Sequence, residues 1–126
     1  MTGAMRFPLR GEIWFAQMHT GPPEKGRRPV VIVSLDSRNR HERAHTVLVV
    51  PLTTSIHKEA PTHVLLSAGE TGLAVDSAAR AEDVTALTKE SLVQPRGRLR
   101  QISHRRICEL AGKVVIAMGC AHAPLL

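Results

Sequence analysis

The sequence predicts a mainly β fold: a small curled sheet or barrel with one α-helix at its C-terminal end. Three observations predict it. Apolar residues come in short runs rich in β-branched side chains, and Gly and Pro break the chain between them. Only the last stretch changes to a helical period. A length of 126 residues fits one domain, residues 1–126 with a core at about 10–118, and leaves no room for a second core.

The first strand is expected at Glu12–Gln17, followed by a Gly/Pro-rich loop from Gly21 to Gly26. Pro29–Leu35 is almost continuously apolar, the pattern of a strand buried on both faces. Thr46–Leu52 is a second such run, ended by Pro51, which has no N–H to give to a central ladder. Thr62–Leu66 alternates more weakly, and a further strand is expected within Ala79–Leu87. Ile107, Leu110, Ala111, Val114, Val115 and Met118 then fall on one face of an amphipathic helix. Ser103 is placed to cap it, Ile102 and Ile107 to staple its entry, and Gly119 to end it.

Composition narrows the function classes. No apolar run reaches the roughly 20 residues of a membrane-spanning helix, and no secretory signal is recognisable, so a cytoplasmic protein without a membrane role is expected. Two cysteines, Cys108 and Cys120, are too few for a disulfide scaffold, and Cys108 is expected in the core. The net charge of +6 favours polyanionic partners. Thirteen of the 17 basic residues are Arg, whose planar fork donates two parallel hydrogen bonds to a phosphate. Phe7, Trp14 and Phe15 are the only aromatic residues of the Phe/Trp/Tyr class, so a base-stacking platform is not expected. Any nucleic-acid contact must lean on phosphates and polar base edges.

Six short motifs occur in order. They are Arg10-Gly11-Glu12-Ile13-Trp14, Arg28-Pro29-Val30-Val31-Ile32-Val33-Ser34, Val50-Pro51-Leu52-Thr53-Thr54-Ser55, Pro61-Thr62-His63-Val64, Gly72-Leu73 and Asp76-Ser77. Together they resemble the MazF/PemK family of toxin–antitoxin endoribonucleases over about Arg10 to Met118. The resemblance implies an SH3-like barrel with a C-terminal helix, a homodimer, and cleavage of single-stranded RNA without metal or other cofactor. It also implies neutralisation by an acidic antitoxin whose tail covers the RNA groove. Arg28 and Thr53 carry over as the catalytic pair. Glu24, Lys25, Arg27, Thr54, Ser55, Ser77, Glu82 and Asp83 fall where the family contacts RNA. Departures in the loop before Arg28, where Pro22 and Pro23 stand, and at Glu82-Asp83 mean that the cleaved sequence does not carry over.

The implied roles make chemical sense. Attack by a ribose 2′-hydroxyl passes through a dianionic, five-coordinate phosphorus, which a fixed guanidinium stabilises. A threonine hydroxyl can donate to the same phosphate or orient the attacking oxygen. An arginine side chain is a poor proton acceptor, so electrostatic stabilisation is the role expected of Arg28. His19, His57 and His63 lie near the motifs and could supply a general base.

Other features compete. His41-Glu42-Arg43-Ala44-His45 matches a zinc-protease signature, but a strand follows at once and a turn precedes it, so the helix that chemistry needs is not expected. Arg96, Arg98, Arg100, Arg105 and Arg106 form either an RNA or antitoxin patch or a solvated face. A second function class stays open: a non-catalytic toxin or binding module on the same fold, such as a gyrase poison with anchors on its last helix.

Overall fold

The computed structural model describes residues 7–17, 26–94 and 100–120. Its strands are β1 (Ile13–Gln17), β2 (Arg27–Ile32), β3 (Thr46–Thr53), β4 (His63–Leu66), β5 (Ser77–Arg80), β6 (Thr85–Thr88) and β7 (Leu92–Val93). Its helices are the short α1 (Asp36–Asn39) and α2 (Ala68–Thr71) and the long α3 (His104–Ala117). Every strand pairing is antiparallel. The order β4-β5-β3-β2-β1-β7, with β6 also on β3, runs open from end to end among the described residues. The mainly β fold with its C-terminal helix is therefore as expected, while the sheet is not a closed barrel.

β3 is the spine. One edge pairs with β2 and the other first with β6, at Thr46 to Val49, and then with β5, at Leu52 and Thr53. The Leu48 carbonyl accepts from Val33 N, so by alternation Pro51 faces the β5/β6 edge, in the gap between those two partners. That position explains why Pro51 lies inside a buried strand that it was expected to end.

Alternation splits the apolar residues of the strands between two clusters. Ile13, Val31, Val50 and Leu52 meet Ile107 and Leu110 of α3. Trp14, Val30, Ile32, Val47 and Val49 meet Leu87 on the other face. Val30, Val31 and Ile32 are completely buried, the two-sided burial that their unbroken apolar run predicts.

Several boundaries differ from expectation. β2 starts at Arg27 and stops at Ile32 because the Ser34 hydroxyl and carbonyl bond to the buried Asn39, turning the chain into α1. Ala79–Leu87 is not one strand: a 3-10 turn at Ala81–Asp83 separates β5 from β6. The last helix is capped as expected, Ser103 Oγ accepting from Arg106 N, with Ile102 and Ile107 buried together. Gly119 follows in a left-handed conformation. Cys108 is exposed rather than in the core, 3.4 Å from His104 Nε2. Residues 41–45 form a turn, with Arg43 N donating to His41 Nδ1, so the two histidines do not share a helix face.

Gly11 and Glu12 tie the first motif to the rest. Gly11 has φ +93°, and a Cβ there would lie 2.9 Å from the Ile102 carbonyl oxygen. The buried Glu12 carboxylate accepts from Leu9 N and Trp14 Nε1, fixing the entry to β1.

Candidate active site

The β2–β3 register is Val30↔Pro51, Val31↔Val50 and Ile32↔Val49. Carried two residues outward, it sets Arg28 opposite Thr53, on one face by alternation. Both residues line a cavity of about 260 Å³ together with Thr54, Ser55, Leu73 and Ser77. Arg28 is half-buried, and among the described residues its guanidinium has no hydrogen-bond or ion-pair partner. Thr53 Oγ1 accepts from Ser55 N at 3.1 Å, which leaves its own O–H free to donate into the cavity. Ser77 Oγ is buried without a hydrogen-bond partner among the described residues and forms part of the same wall. One cation among the described lining residues, beside the hydroxyl side chains of Thr53, Thr54, Ser55 and Ser77, suits a phosphodiester group better than an apolar ligand.

The other residues expected to touch RNA divide. Arg27 is exposed, pairs with Gln17 across the ladder and is not among the described residues lining this cavity. Glu24 and Lys25 lie outside the described residues, as do His19, Arg96 and Arg98. Asp83 pairs with Arg80 at 3.2 Å and lines neither this cavity nor its neighbour. Arg100 and Arg105 are exposed, whereas Arg106 is engaged by Glu70 at 2.7 Å and Glu109 at 3.0 Å. Its hydrogen bond from Arg106 is the main reason the Glu70 carboxyl is held down to about 2, against the opposing effect of burial.

Glu82 belongs to a second cavity of about 280 Å³, which shares Thr53 and Ser55 with the first and adds His57, His63 and Arg80. Its carboxylate is already occupied. Oε1 accepts from Thr62 Oγ1 at 2.7 Å, and Oε2 faces His63 Nε2 at 3.2 Å and Arg80 Nε at 3.4 Å. Burial would raise this carboxyl, but the hydrogen bonds from Thr62, a backbone N–H and His63 outweigh it and hold it down to about 2. Arg80 escaped sequence reasoning. Only the β4–β5 register, which sets His63 directly opposite Arg80, brings it into the cluster.

Residues 9–117 match the family described as PemK-like, MazF-like toxin of type II toxin-antitoxin system. The chain belongs to this family. Among relatives of the PemK/MazF group, it is 42% identical over 96 residues to endoribonuclease MazF9 of Mycobacterium tuberculosis, covering 71% of this chain and 80% of that one. It is 38% identical over 114 residues to the probable endoribonuclease MazF5 of the same organism, covering 90% and 95%. The fold resembles crystalline MazF of Deinococcus radiodurans, with a TM-score of 0.70 at 23% identity, covering 91% of this chain and 99% of that one. It also resembles a mycobacterial endoribonuclease solved with its cognate antitoxin, with a TM-score of 0.67 at 25% identity, covering 94% and 99%. Among the described residues of this PemK/MazF member, no helix is long and apolar enough to cross a membrane.

Proposed function

We propose that the protein is the endoribonuclease toxin of a type II toxin–antitoxin pair, acting in the cytoplasm on single-stranded RNA without a metal ion. The observation that carries this reading is the meeting of Arg28 and Thr53 in one open cavity of a MazF-family chain. The scissile phosphate sits between the two. Arg28 neutralises charge that builds mainly in the transition state, and Thr53 donates its hydroxyl to a phosphate oxygen. The attacking nucleophile is the neighbouring ribose 2′-hydroxyl, which leaves a 2′,3′-cyclic phosphate and a 5′-hydroxyl end. The toxin acts as a homodimer, and an acidic antitoxin segment covers the same basic groove, as the positive net charge favours.

Incubating the purified protein with a long RNA in EDTA and mapping both new ends tests this. Cleavage at a recurring short sequence, with cyclic-phosphate termini, is the expected result. Intact RNA, or cleavage only after a metal is added, would overturn it. Inhibition of DNA supercoiling with intact RNA would favour the gyrase-poison class instead.

A further inference from the structure

A ribose 2′-hydroxyl is a poor nucleophile until its proton is removed, and among the described residues the first cavity holds no group suited to take it. Arginine stays protonated near neutral pH, and the other polar side chains there are hydroxyls. Glu82 in the adjoining cavity is a weak base, because three donors already occupy its carboxylate.

His63 is placed differently. Its side chain is only 8% exposed, and its Nε2 lies 3.2 Å from Glu82 Oε2. An ionised carboxylate only accepts hydrogen bonds, so the facing ring nitrogen must carry the proton. In the neutral ring the lone pair therefore resides on Nδ1. That atom is buried and, among the described residues, has no hydrogen-bond partner. The ring lines the second cavity, and that cavity shares Thr53 and Ser55 with the first, where the proposed reading seats the scissile phosphate. The arrangement follows the logic of a carboxylate that fixes an imidazole tautomer so that the opposite nitrogen can accept a proton.

We propose that His63 is the general base of the cleavage reaction, accepting the 2′-hydroxyl proton at Nδ1 while Glu82 holds its Nε2–H. The inference rests on the ribonuclease reading above. As the proton moves to Nδ1, O2′ bonds to phosphorus and the bond from phosphorus to O5′ breaks. The departing O5′ takes a proton from solvent and leaves as a hydroxyl. The imidazolium, paired with Glu82, then returns its proton to water. Among the described residues, the charged and titratable groups facing the ring are Glu82, Arg80 across the β4–β5 ladder, and His57, whose ring centroid is 6.4 Å away.

The test is single-turnover cleavage of one RNA by wild type, His63→Gln and His57→Ala across a pH series, with thermal melts beside each. A general base typically contributes about 10²- to 10⁴-fold. The expected result is a loss in that range for His63→Gln, with RNA affinity within a few-fold of wild type. Wild type should show an acidic limb, where a protonated ring accepts no further proton, and His63→Gln should lack it. Added imidazole should restore rate to folded His63→Ala in a saturable way. A loss under tenfold, a limb that persists in the variant, no rescue of folded His63→Ala, or a loss that follows His57 instead would overturn the inference. Wild-type protein that cleaves no RNA would overturn the ribonuclease reading itself, a distinct outcome.

Discussion

Replacing Arg28 by alanine should nearly abolish cleavage while replacing Arg27 should not, and the β2 ladder is the reason. Adjacent strand residues point to opposite faces, and Arg28 lines the cavity of about 260 Å³ with Thr53, whereas Arg27 is not among the described residues lining it. Arg28 is the one cation among the described residues lining that cavity, so alanine removes the positive charge that they offer to the proposed scissile phosphate. Loss of such a preorganised donor typically lowers kcat by about 10²- to 10³-fold, equivalent to roughly 2.7–4 kcal/mol of transition-state stabilisation. Stability should change by no more than about 1 kcal/mol, because the guanidinium has no bonded partner among the described residues and surface pairing is weak in any case. Thr53→Ala should also lose most activity, with RNA affinity nearly kept. Single-turnover cleavage of an end-labelled RNA by the three variants, with melts alongside, decides the matter. If Arg27→Ala is inactive while Arg28→Ala cleaves within about threefold of wild type, the register argument is wrong. If all three cleave normally, the cavity is not the active site.

RNA affinity should weaken with salt, with log affinity falling against log salt by about 0.7 per phosphate contact on a single strand. Filter binding between low and physiological salt measures this, and a flat profile would contradict a phosphate-led groove. Glu70→Gln should lower stability by roughly 1 kcal/mol at pH 7, because it weakens both the α2 capping box with Ser67 and the Arg106 bridge. Side chains that are each 31% exposed keep the figure near the low end of such effects. The Glu70 carboxyl is depressed from 4.5 to about 2 on folding, so its contribution is full above about 4.5 and vanishes as pH falls toward 2. Urea titrations between pH 2 and 7 should show a shallower acid loss in Glu70→Gln than in wild type.

The strands and the last helix were legible because their reasons are local. Val30 to Ile32 announce two-sided burial by composition alone, and Ile107, Leu110 and Val114 announce a helix by spacing. Pro51 misled because an edge that changes partners is a property of the whole sheet. Ala79–Leu87 misled because a 3-10 turn over Ala81–Asp83 leaves no strong mark in a short apolar run. Arg28 and Thr53 were reached through motif order, and the ladder register then supplies a physical cause for their meeting. The neighbouring cluster was illegible for the opposite reason. His63, Arg80 and Glu82 converge only through the β4–β5 pairing, and Glu82, expected to contact RNA, spends its oxygens on Thr62, His63 and Arg80 instead. Arg106 likewise read as one cation in a basic run until Glu70, 36 residues away, claimed it.

The double edge of β3 bears on how the enzyme breathes. Thr46 to Thr53 is flanked by three other strands and lies between both apolar clusters, so its amides should exchange with solvent hydrogen only when the whole domain opens. Thr53 is its last residue, and the exposed Thr54 and Ser55 follow at once. Protection should therefore drop abruptly across a single peptide bond in the middle of the site. The Thr53 hydroxyl, which the proposed reading brings to the phosphate, is anchored on the slowest-opening strand, while the exposed segment beside it can rearrange at little energetic cost. Substrate preference can then drift by changes in that segment without disturbing the geometry on which the chemistry depends.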